Sequence, residues 1–269
     1  MIRLKSESEI DKMRIAAQLV SRTLGEVSKY IEPGIETGKL DILAEEFIRK
    51  QNARPAFKGY GDRRNPFPAT LCISVNDEVV HGIPGSRVLK EGDIVSVDCG
   101  IEKDGYFGDH AYTFICGDTT DEVKHLLKTT LESLYKGIDQ AVHGNKTGDI
   151  GFAVQHHCEK ERFGVVRDLV GHGIGRDLHE DPAIPNYGKQ GKGHRLRSGM
   201  GLAIEPMITM GSWRIKTDPD GWTIRTSDGS MAAHFEHDVI VREGEAEILS
   251  TFDYIAELSK NQIQTQYHG

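Results

Sequence analysis

One local pattern occurs twice in this chain of 269 residues. Residues 34–40 (GIETGKL) and 144–150 (GNKTGDI) share the pattern G-x-x-T-G-x-apolar, at an offset of 144 − 34 = 110 residues. Each copy lies between two stretches with helical apolar spacing, and strand-like stretches follow each pair. This recurrence favours an internal duplication. We therefore predict one domain over 1–269, with halves at about 1–117 and 118–250, a tail at about 251–269, and a site at the seam.

Capping residues and apolar spacing predict where the helices begin. Ser6 and Glu9 form a capping-box pattern before the first apolar stripe, and a second helix is expected from Thr37. Thr119 and Glu122 form the same capping pattern before a third stripe. Strands are predicted at residues 71–75, 94–98, 106–116, 165–170, 201–208, 222–225 and 235–241.

Composition excludes several classes of protein. The formal net charge of −8 argues against a nucleic-acid-binding protein, because no basic stripe offsets it. The four cysteines lack CxxC spacing, which indicates a reduced, cytoplasmic protein rather than a disulfide-stabilised secreted one. The first residues contain no apolar signal core, and no stretch approaches the roughly 18 apolar residues of a membrane span. We therefore expect no association with membranes.

Five potential metal ligands stand out by their local contexts: Asp98 (VSVDC), Asp109 (GYFGD), His172 (GHGIG), Glu205 (AIEPM) and Glu236 (HFEHD). Four carboxylates and one imidazole suit divalent ions such as Mn, Co, Fe or Zn rather than a thiolate-bound structural zinc. Two such ions close together activate a water molecule and polarise the carbonyl that it attacks. If the five residues converge, the protein is a metallohydrolase.

Asp98 and Asp109 are expected to lie on one face of a β-hairpin. They are 109 − 98 = 11 residues apart, and Lys103-Asp104-Gly105 marks a turn between them. A two-residue loop at 103–104 would place Asp98 opposite Asp109, whereas a loop at 104–105 would place it opposite Ala111. In both registers the two carboxylates converge, which is unfavourable unless a cation lies between them.

The same alternation separates candidate residues from their neighbours. His110 and His237 should point away from the faces that carry Asp109 and Glu236, so we leave both histidines out of the site. Glu205 and Glu236 each lie in an apolar strand-like run without a nearby Arg or Lys, where an unpaired carboxylate would cost several kcal/mol. We assign Glu205 as a proton shuttle in addition to a ligand.

His172 and His179 flank one glycine-rich turn at the end of a predicted strand. Glycines beside His172 allow the backbone to approach a ligand closely. Neither phosphate-binding glycine pattern nor H-E-x-x-H is present, which argues against a nucleotide site and against a zincin.

Taken together, these segments resemble the type I methionine aminopeptidases, metallopeptidases of the pita-bread fold. The resemblance extends over residues 5–250, and its motifs occur in the expected order. It implies an α+β fold with two pseudo-symmetric helix–sheet halves around one central antiparallel sheet. The matching segments are residues 72–76 (CISVN), 80–84 (VHGIP), 92–98 (GDIVSVD), 104–109 (DGYFGD), 171–175 (GHGIG), 179–180 (HE), 204–207 (IEPM), 221–223 (GWT) and 235–237 (FEH).

The resemblance implies a role for each ligand and a reaction. Asp98 would bind one metal ion, Asp109 and Glu236 would bridge two, and His172 and Glu205 would complete the site. The two ions would be Co, Mn, Fe, Zn or Ni, and they would activate a water that attacks the first peptide bond. The implied substrate is the N-terminal methionine of nascent chains with a small second residue. The implied enzyme is a monomer, with the ribosome as an implied partner.

The resemblance also implies substrate contacts. His179 would polarise the scissile carbonyl, His81 would contact the scissile amide nitrogen, and Glu205 would take and return the proton. Four further residues would form the pocket for the methionine side chain: Tyr60, Phe67, Cys72 and Trp222.

Four features depart from the usual pattern of these relatives. They are Phe57, a short insertion at 61–66, Leu178 before the second histidine, and Asp238 where threonine is common. We expect the first three to reshape the methionine pocket, and none of the four to touch a metal ligand.

Two other functions compete with this interpretation. An Xaa-Pro aminopeptidase or prolidase shares the fold but usually has an N-terminal domain and an extra histidine in the metal region, whereas this chain begins at the catalytic half. A non-catalytic pita-bread protein that binds peptides or RNA would typically have lost ligands, and all five are present here. Hydrolysis of methionine peptides distinguishes the three.

Overall fold

The computed structural model describes residues 2–258. Five helices lie within these residues: α1 (Glu7–Ser28), α2 (Thr37–Lys50), α3 (Asp121–Ile138), α4 (Thr147–Lys160) and α5 (Asp253–Leu258). Fifteen strands accompany them: β1 (Arg54–Pro55), β2 (Leu71–Val75), β3 (Glu78–Val80), β4 (Ile94–Lys103), β5 (Tyr106–Ile115), β6 (Gly164–Val165), β7 (Gly171–Gly173), β8 (Glu180–Ile184), β9 (Gly201–Ile204), β10 (Met207–Thr209), β11 (Ile215–Thr217), β12 (Ile224–Thr226), β13 (Ala232–His234), β14 (His237–Ile240) and β15 (Glu247–Ile248). Most of the predicted tail at 251–269 lies outside the described residues.

The helix starts follow the predicted capping residues, with one correction. Glu9 accepts hydrogen bonds from the Ser6 backbone N–H and hydroxyl, so the first capping box is confirmed. In the second half the prediction of Thr119 was wrong, because Thr120 accepts the N–H of Val123 and α3 begins one residue later. The Thr119 hydroxyl instead donates to the carbonyl of Gly92 in the preceding turn.

The duplicated T-G pattern performs the same structural task in both halves. Thr37 and Thr147 are the first residues of α2 and α4, and each follows an extended residue. In each copy the N–H groups of the threonine and the glycine donate to backbone carbonyls of a loop that lies beside the start of the helix. A Cβ added to either glycine would come within about 3 Å of a carbonyl oxygen of that loop. The bonds join Thr37 to Arg87, Gly38 to Gly85, Thr147 to His194 and Gly148 to Lys192, at 2.8–2.9 Å.

The hairpin of β4 and β5 settles the register that the sequence leaves open. Lys103 pairs with Tyr106, so the loop consists of Asp104 and Gly105, both with positive φ. Asp98 therefore lies opposite Ala111, and Asp109 lies opposite Gly100. This is the second of the two predicted registers, and it keeps both aspartates on one face.

Within residues 2–258 the strands form four small antiparallel sheets, and some of the long predicted runs are divided or shortened. The run predicted at 201–208 is divided into β9 and β10 at Glu205-Pro206, because proline lacks the N–H that a continuous ladder requires. β9 lies between β14 and β7 in a five-stranded sheet, and β4 lies at the centre of the sheet that contains β2 and β5. The run predicted at 165–170 is shortened to Gly164–Val165.

One large cluster of buried apolar side chains spans both predicted halves. It joins residues of α1 and α2, such as Leu24 and Leu40, to residues of α3 and β9, such as Leu131 and Ile204. No helix in the described part of the chain is long and apolar enough to cross a membrane.

We predict that Gly108→Ala destabilises the protein, because α1 crosses β5 directly above this residue. A Cβ at position 108 would lie 2.6 Å from the Ala17 backbone nitrogen, and backbone atoms there cannot withdraw. We expect a loss of about 1–3 kcal/mol in the free energy of unfolding, measured by denaturant titration. Gly85→Ala is the matched control, since a Cβ there meets no atom within 4 Å. Equal stability of the two variants would contradict this packing.

Candidate metal centre

A cavity of about 300 Å³ is lined by residues from both halves of the chain. All eleven site residues predicted from the sequence line it: Tyr60, Phe67, Cys72, His81, Asp98, Asp109, His172, His179, Glu205, Trp222 and Glu236. Phe57, Val80, Leu169, Val170 and Met207 complete the lining. The chain therefore brings acidic, imidazole and apolar side chains to one concave surface.

Four carboxyl groups, those of Asp98, Asp109, Glu205 and Glu236, reach this cavity from different segments; we call them the carboxylate cluster. Asp98 and Asp109 project from the same face of the β4–β5 hairpin. Glu205 lies at the break between β9 and β10, and Glu236 immediately precedes β14. Both halves of the chain thus supply acidic groups to the cluster.

The cluster is electrostatically unfavourable without a cation. Burial raises the pKa of all four carboxyl groups, and for Asp109 and Glu236 the neighbouring negative charges raise the pKa further. Within residues 2–258 neither Lys nor Arg forms an ion pair with any of the four. Oδ1 of Asp98 and Oε1 of Glu236 are buried without a hydrogen-bond partner there. Such oxygens suit a bound cation.

His172 is oriented as a metal ligand would be. Its Nδ1 lies 2.9 Å from the carbonyl oxygen of Gly173, and because a carbonyl only accepts, Nδ1 carries the proton. The lone pair of Nε2 then faces the carboxylate cluster, 3.6 Å from Glu205 Oε1 and 3.8 Å from Asp109 Oδ2. Burial lowers the pKa of His172 to about 3, which keeps the imidazole neutral and able to ligate.

The donor set fits a divalent cation at the centre of the cluster. One ligand atom each from Asp109, His172 and Glu236 can be chosen so that all three lie within 4.8 Å of one another. Asp98 and Glu205 line the same cavity beside these three residues. Oxygen-rich sites with one imidazole favour Mn, Co, Fe, Ni or Zn.

His81 and His179 also line the cavity, and the ring of His179 lies 4.2 Å from the ring of His172. His81 adopts a φ of 59°, and a Cβ on the following Gly82 would lie 2.2 Å from the carbonyl oxygen of Ile73. A residue other than glycine with a left-handed backbone conformation is strained, and such strain is common at functional sites. His179 precedes Glu180, which forms a buried ion pair of 2.8 Å with Lys5 and so ties this segment to the residues before α1.

An apolar wall borders the other side of the cavity. Phe57, Phe67, Cys72 and Leu178 belong to one buried cluster, against which Trp222 packs. The rings of Phe67 and Trp222 meet edge to face at 5.3 Å. Of the unusual residues, Phe57 therefore lines the cavity itself, and Leu178 packs in the cluster behind the wall.

The exclusion of His110 and His237 by alternation agrees with their contacts. Their rings stack on each other at 4.8 Å, outside the cavity lining. Nδ1 of His110 bonds to the backbone carbonyl of Glu236, and Nδ1 of His237 lies 2.7 Å from Ser250 Oγ. These two rings therefore contact the Glu236 segment without lining the cavity.

Sequence reasoning missed His234, although alternation places it on the same face as Glu236. It is buried, both ring nitrogens lack a hydrogen-bond partner in residues 2–258, and Nε2 lies 3.5 Å from Glu205 Oε2. The same alternation of side chains that excluded His237 from the site would have placed His234 in it.

The expectation that none of the unusual residues touches a ligand was wrong for Asp238. Its buried Oδ2 accepts the backbone N–H of Asp109 at 2.8 Å, while Oδ1 has no partner in the described chain. Asp238 thus adds a fifth acidic side chain behind the carboxylate cluster. The contact joins β5 to β14, which no local pattern reveals.

Comparisons with known proteins agree with this geometry. Residues 11–243 match the profile of metallopeptidase family M24. A methionine aminopeptidase of Clostridium acetobutylicum is 50% identical over 251 residues, which cover 93% of this chain and 99% of that protein. Methionine aminopeptidase 1 of Bacillus subtilis is 51% identical over 250 residues, with the same coverage of both chains.

A crystal structure of methionine aminopeptidase from Thermotoga maritima matches with a TM-score of 0.90 at 48% identity, covering 93% of this chain and 100% of that one. The chain therefore belongs to metallopeptidase family M24 and has its pita-bread fold, as the sequence predicted. Within that family it groups with the methionine aminopeptidases.

We predict that Asp109→Asn has opposite effects on the metal-free protein and on metal binding. Removing one negative charge relieves repulsion, so the melting temperature in chelator should rise, by about 2–4 °C for each kcal/mol relieved. Added Mn²⁺ should stabilise the wild type strongly and the variant weakly.

The exposed Asp139→Asn serves as the control, because it removes the same charge away from the cavity. Its melting temperature should follow that of the wild type in both conditions. Equal stabilisation of Asp109→Asn and wild type by Mn²⁺ would contradict a cation site at Asp109.

Proposed function

We propose that this protein removes the N-terminal methionine from polypeptides whose second residue is small. The observation that carries the proposal is the position of the carboxylate cluster beside an apolar wall in one cavity. An unbranched thioether fits such a wall, and the acidic groups suit the metal chemistry of peptide hydrolysis. The relatives at about 50% identity are named methionine aminopeptidases, which supports the same activity for this protein.

Two divalent ions, of Co, Mn, Fe, Zn or Ni, form part of the proposal. Asp98, Asp109, His172, Glu205 and Glu236 would hold them, with Asp109 and Glu236 shared between the two. When bound, such ions polarise a carbonyl and lower the pKa of water towards neutrality. The unpartnered oxygens of Asp98 and Glu236 support this assignment, because a cation would satisfy both.

The protein's own groups would move the proton and orient the substrate. Glu205 would accept a proton from the attacking water and return it to the leaving amine, since its carboxylate lies at the cavity surface beside His172. His179 would donate a hydrogen bond to the carbonyl oxygen as negative charge develops on it. His81 would contact the scissile amide nitrogen from the opposite side.

Specificity would arise from the walls of the cavity. Phe67, Cys72 and Trp222, with the ring of Tyr60, would enclose the methionine side chain. The Trp222 indole N–H donates to the backbone carbonyl of Asn65 at 3.0 Å, which ties this wall to segment 61–66. The preference for a small second residue is the part of the proposal that the resemblance implies.

The proposed setting is the cytoplasm, with nascent chains at the ribosome as substrates and the enzyme acting as a monomer. All four cysteines are free and buried, which is consistent with a reducing compartment. A sedimentation measurement tests the monomer, and co-sedimentation with ribosomes tests the docking.

An Xaa-Pro peptidase is the second candidate, because one observation favours it. His234 is an additional histidine against Glu205, which is a feature expected of that group of enzymes. Peptide preference separates the two functions directly.

The test is initial-rate hydrolysis of tripeptides by protein loaded with Mn²⁺ or Co²⁺. We expect cleavage of Met-Ala-Ser, weak cleavage of Met-Leu-Ser, and none of Leu-Ala-Ser or Ala-Pro-Ala. Cleavage restricted to Ala-Pro-Ala would favour the Xaa-Pro peptidase, and no turnover with any metal would favour a binding protein.

We further predict that Glu205→Gln lowers kcat on Met-Ala-Ser by about 10²–10⁴-fold, the range for loss of a general base. The variant should remain folded by circular dichroism, since Gln preserves the shape of the side chain. Glu46→Gln, on the exposed face of α2, is the control and should keep full activity. A folded Glu205→Gln protein with wild-type kcat would refute the assigned role.

A further inference from the structure

Tyr60 contacts more than the methionine pocket. Its hydroxyl oxygen lies 2.7 Å from Nδ1 of His179, and the two rings are 5.1 Å apart. Among the described residues, Tyr60 is the hydrogen-bond partner of the His179 ring. The protonation site of His179 therefore depends on the direction of this hydrogen bond.

Chemistry favours the tyrosine as the donor. A phenol is a good donor and a poor acceptor, whereas the bare nitrogen of a neutral imidazole is a good acceptor. The distance of 2.7 Å is typical of a bond donated by an O–H group. If Tyr60 donates to Nδ1, the remaining proton of His179 resides on Nε2. The bond of His172 has the opposite direction, because its Nδ1 faces a carbonyl oxygen.

Backbone hydrogen bonds hold Tyr60 in this position. Its N–H donates to the carbonyl of Phe57 at 2.9 Å, and its carbonyl accepts the N–H of Phe67 at 2.8 Å. The hydrogen bond between Tyr60 and Phe67 thus closes the base of the loop that the unusual segment 61–66 forms. This closure holds the backbone of Tyr60, whose side chain lines the cavity.

Segment 61–66 rests on Trp222, which belongs to the other half of the chain. The indole N–H of Trp222 donates to Asn65, and the Asn65 side chain donates to the carbonyl of Asp220, both at 3.0 Å. A Cβ on Gly61 would lie 2.6 Å from the indole ring, so the contact is close. The insertion therefore braces Tyr60 against the segment that carries Trp222.

We propose that Tyr60 is a positioning residue that holds His179 in the tautomer with hydrogen on Nε2, and that segment 61–66 keeps Tyr60 in place for this task. Nε2–H is then available to donate to the carbonyl oxygen of the substrate. The inference rests on the proposed function for its catalytic consequence, but the tautomer itself is a property of the protein.

Tyr60→Phe separates the two contributions of Tyr60, because it removes the hydroxyl and retains the ring. We expect kcat on Met-Ala-Ser to fall about tenfold with KM nearly unchanged, as for the loss of one hydrogen bond of about 1.4 kcal/mol. Tyr60→Ala should raise KM as well, since the pocket loses a wall. Tyr30→Phe, on an exposed tyrosine, is the matched control.

Nitrogen-15 NMR of the histidine rings tests the tautomer without requiring turnover. In zinc-loaded protein, which is diamagnetic, the His179 signals are identified by their loss in His179→Gln. We expect the wild type to carry the proton on Nε2, and Tyr60→Phe to show a mixture of tautomers.

A wild-type proton on Nδ1 would overturn the proposal, as would an unchanged tautomer in Tyr60→Phe. A wild-type kcat in Tyr60→Phe would overturn its catalytic part. If the tautomer is as expected but Met-Ala-Ser is not cleaved, the proposed function fails while the positioning of His179 by Tyr60 stands.

Discussion

The burial of four carboxyl groups against one another is the constraint on which the rest of the site depends. Asp98, Asp109, Glu205 and Glu236 share one cavity, and the described chain supplies only imidazoles as basic partners. A fold tolerates such repulsion only when other interactions over-determine the positions of the groups, or when a cation neutralises them. The surrounding structure has features of both kinds.

The positions of these groups are over-determined by contacts that join the two halves. Gly108 allows α1 to lie directly on the strand that carries Asp109, and the backbone N–H of Asp109 is bound by Asp238 from the second half. The Lys5–Glu180 ion pair ties the segment before His179 to the start of the chain. The residues proposed to form the methionine pocket are held in the same way, because Asn65 of segment 61–66 accepts the indole N–H of Trp222.

Much of this arrangement could be predicted from sequence, because local chemistry determines it. Alternation placed Asp98 and Asp109 on one face and removed His110 and His237, and local context singled out His172, His179, Glu205 and Glu236. The resemblance supplied His81 and the four residues of the predicted methionine pocket. The choice between the two hairpin registers required the actual turn, Asp104-Gly105. The role of Asp238 could not be predicted, since its contact with Asp109 spans 129 residues of sequence. The capping threonine was misplaced by one residue because two adjacent threonines offer equivalent hydroxyls.

The most direct test of a metal centre in the carboxylate cluster is to locate the cations themselves. Anomalous diffraction at the manganese edge, from crystals of the Mn²⁺-loaded protein, gives their positions independently of activity. We expect two peaks within the carboxylate cluster, at least one of them in contact with His172 Nε2 and both in contact with Asp109 and Glu236. Peaks elsewhere, or none in the cluster at saturating Mn²⁺, would contradict it.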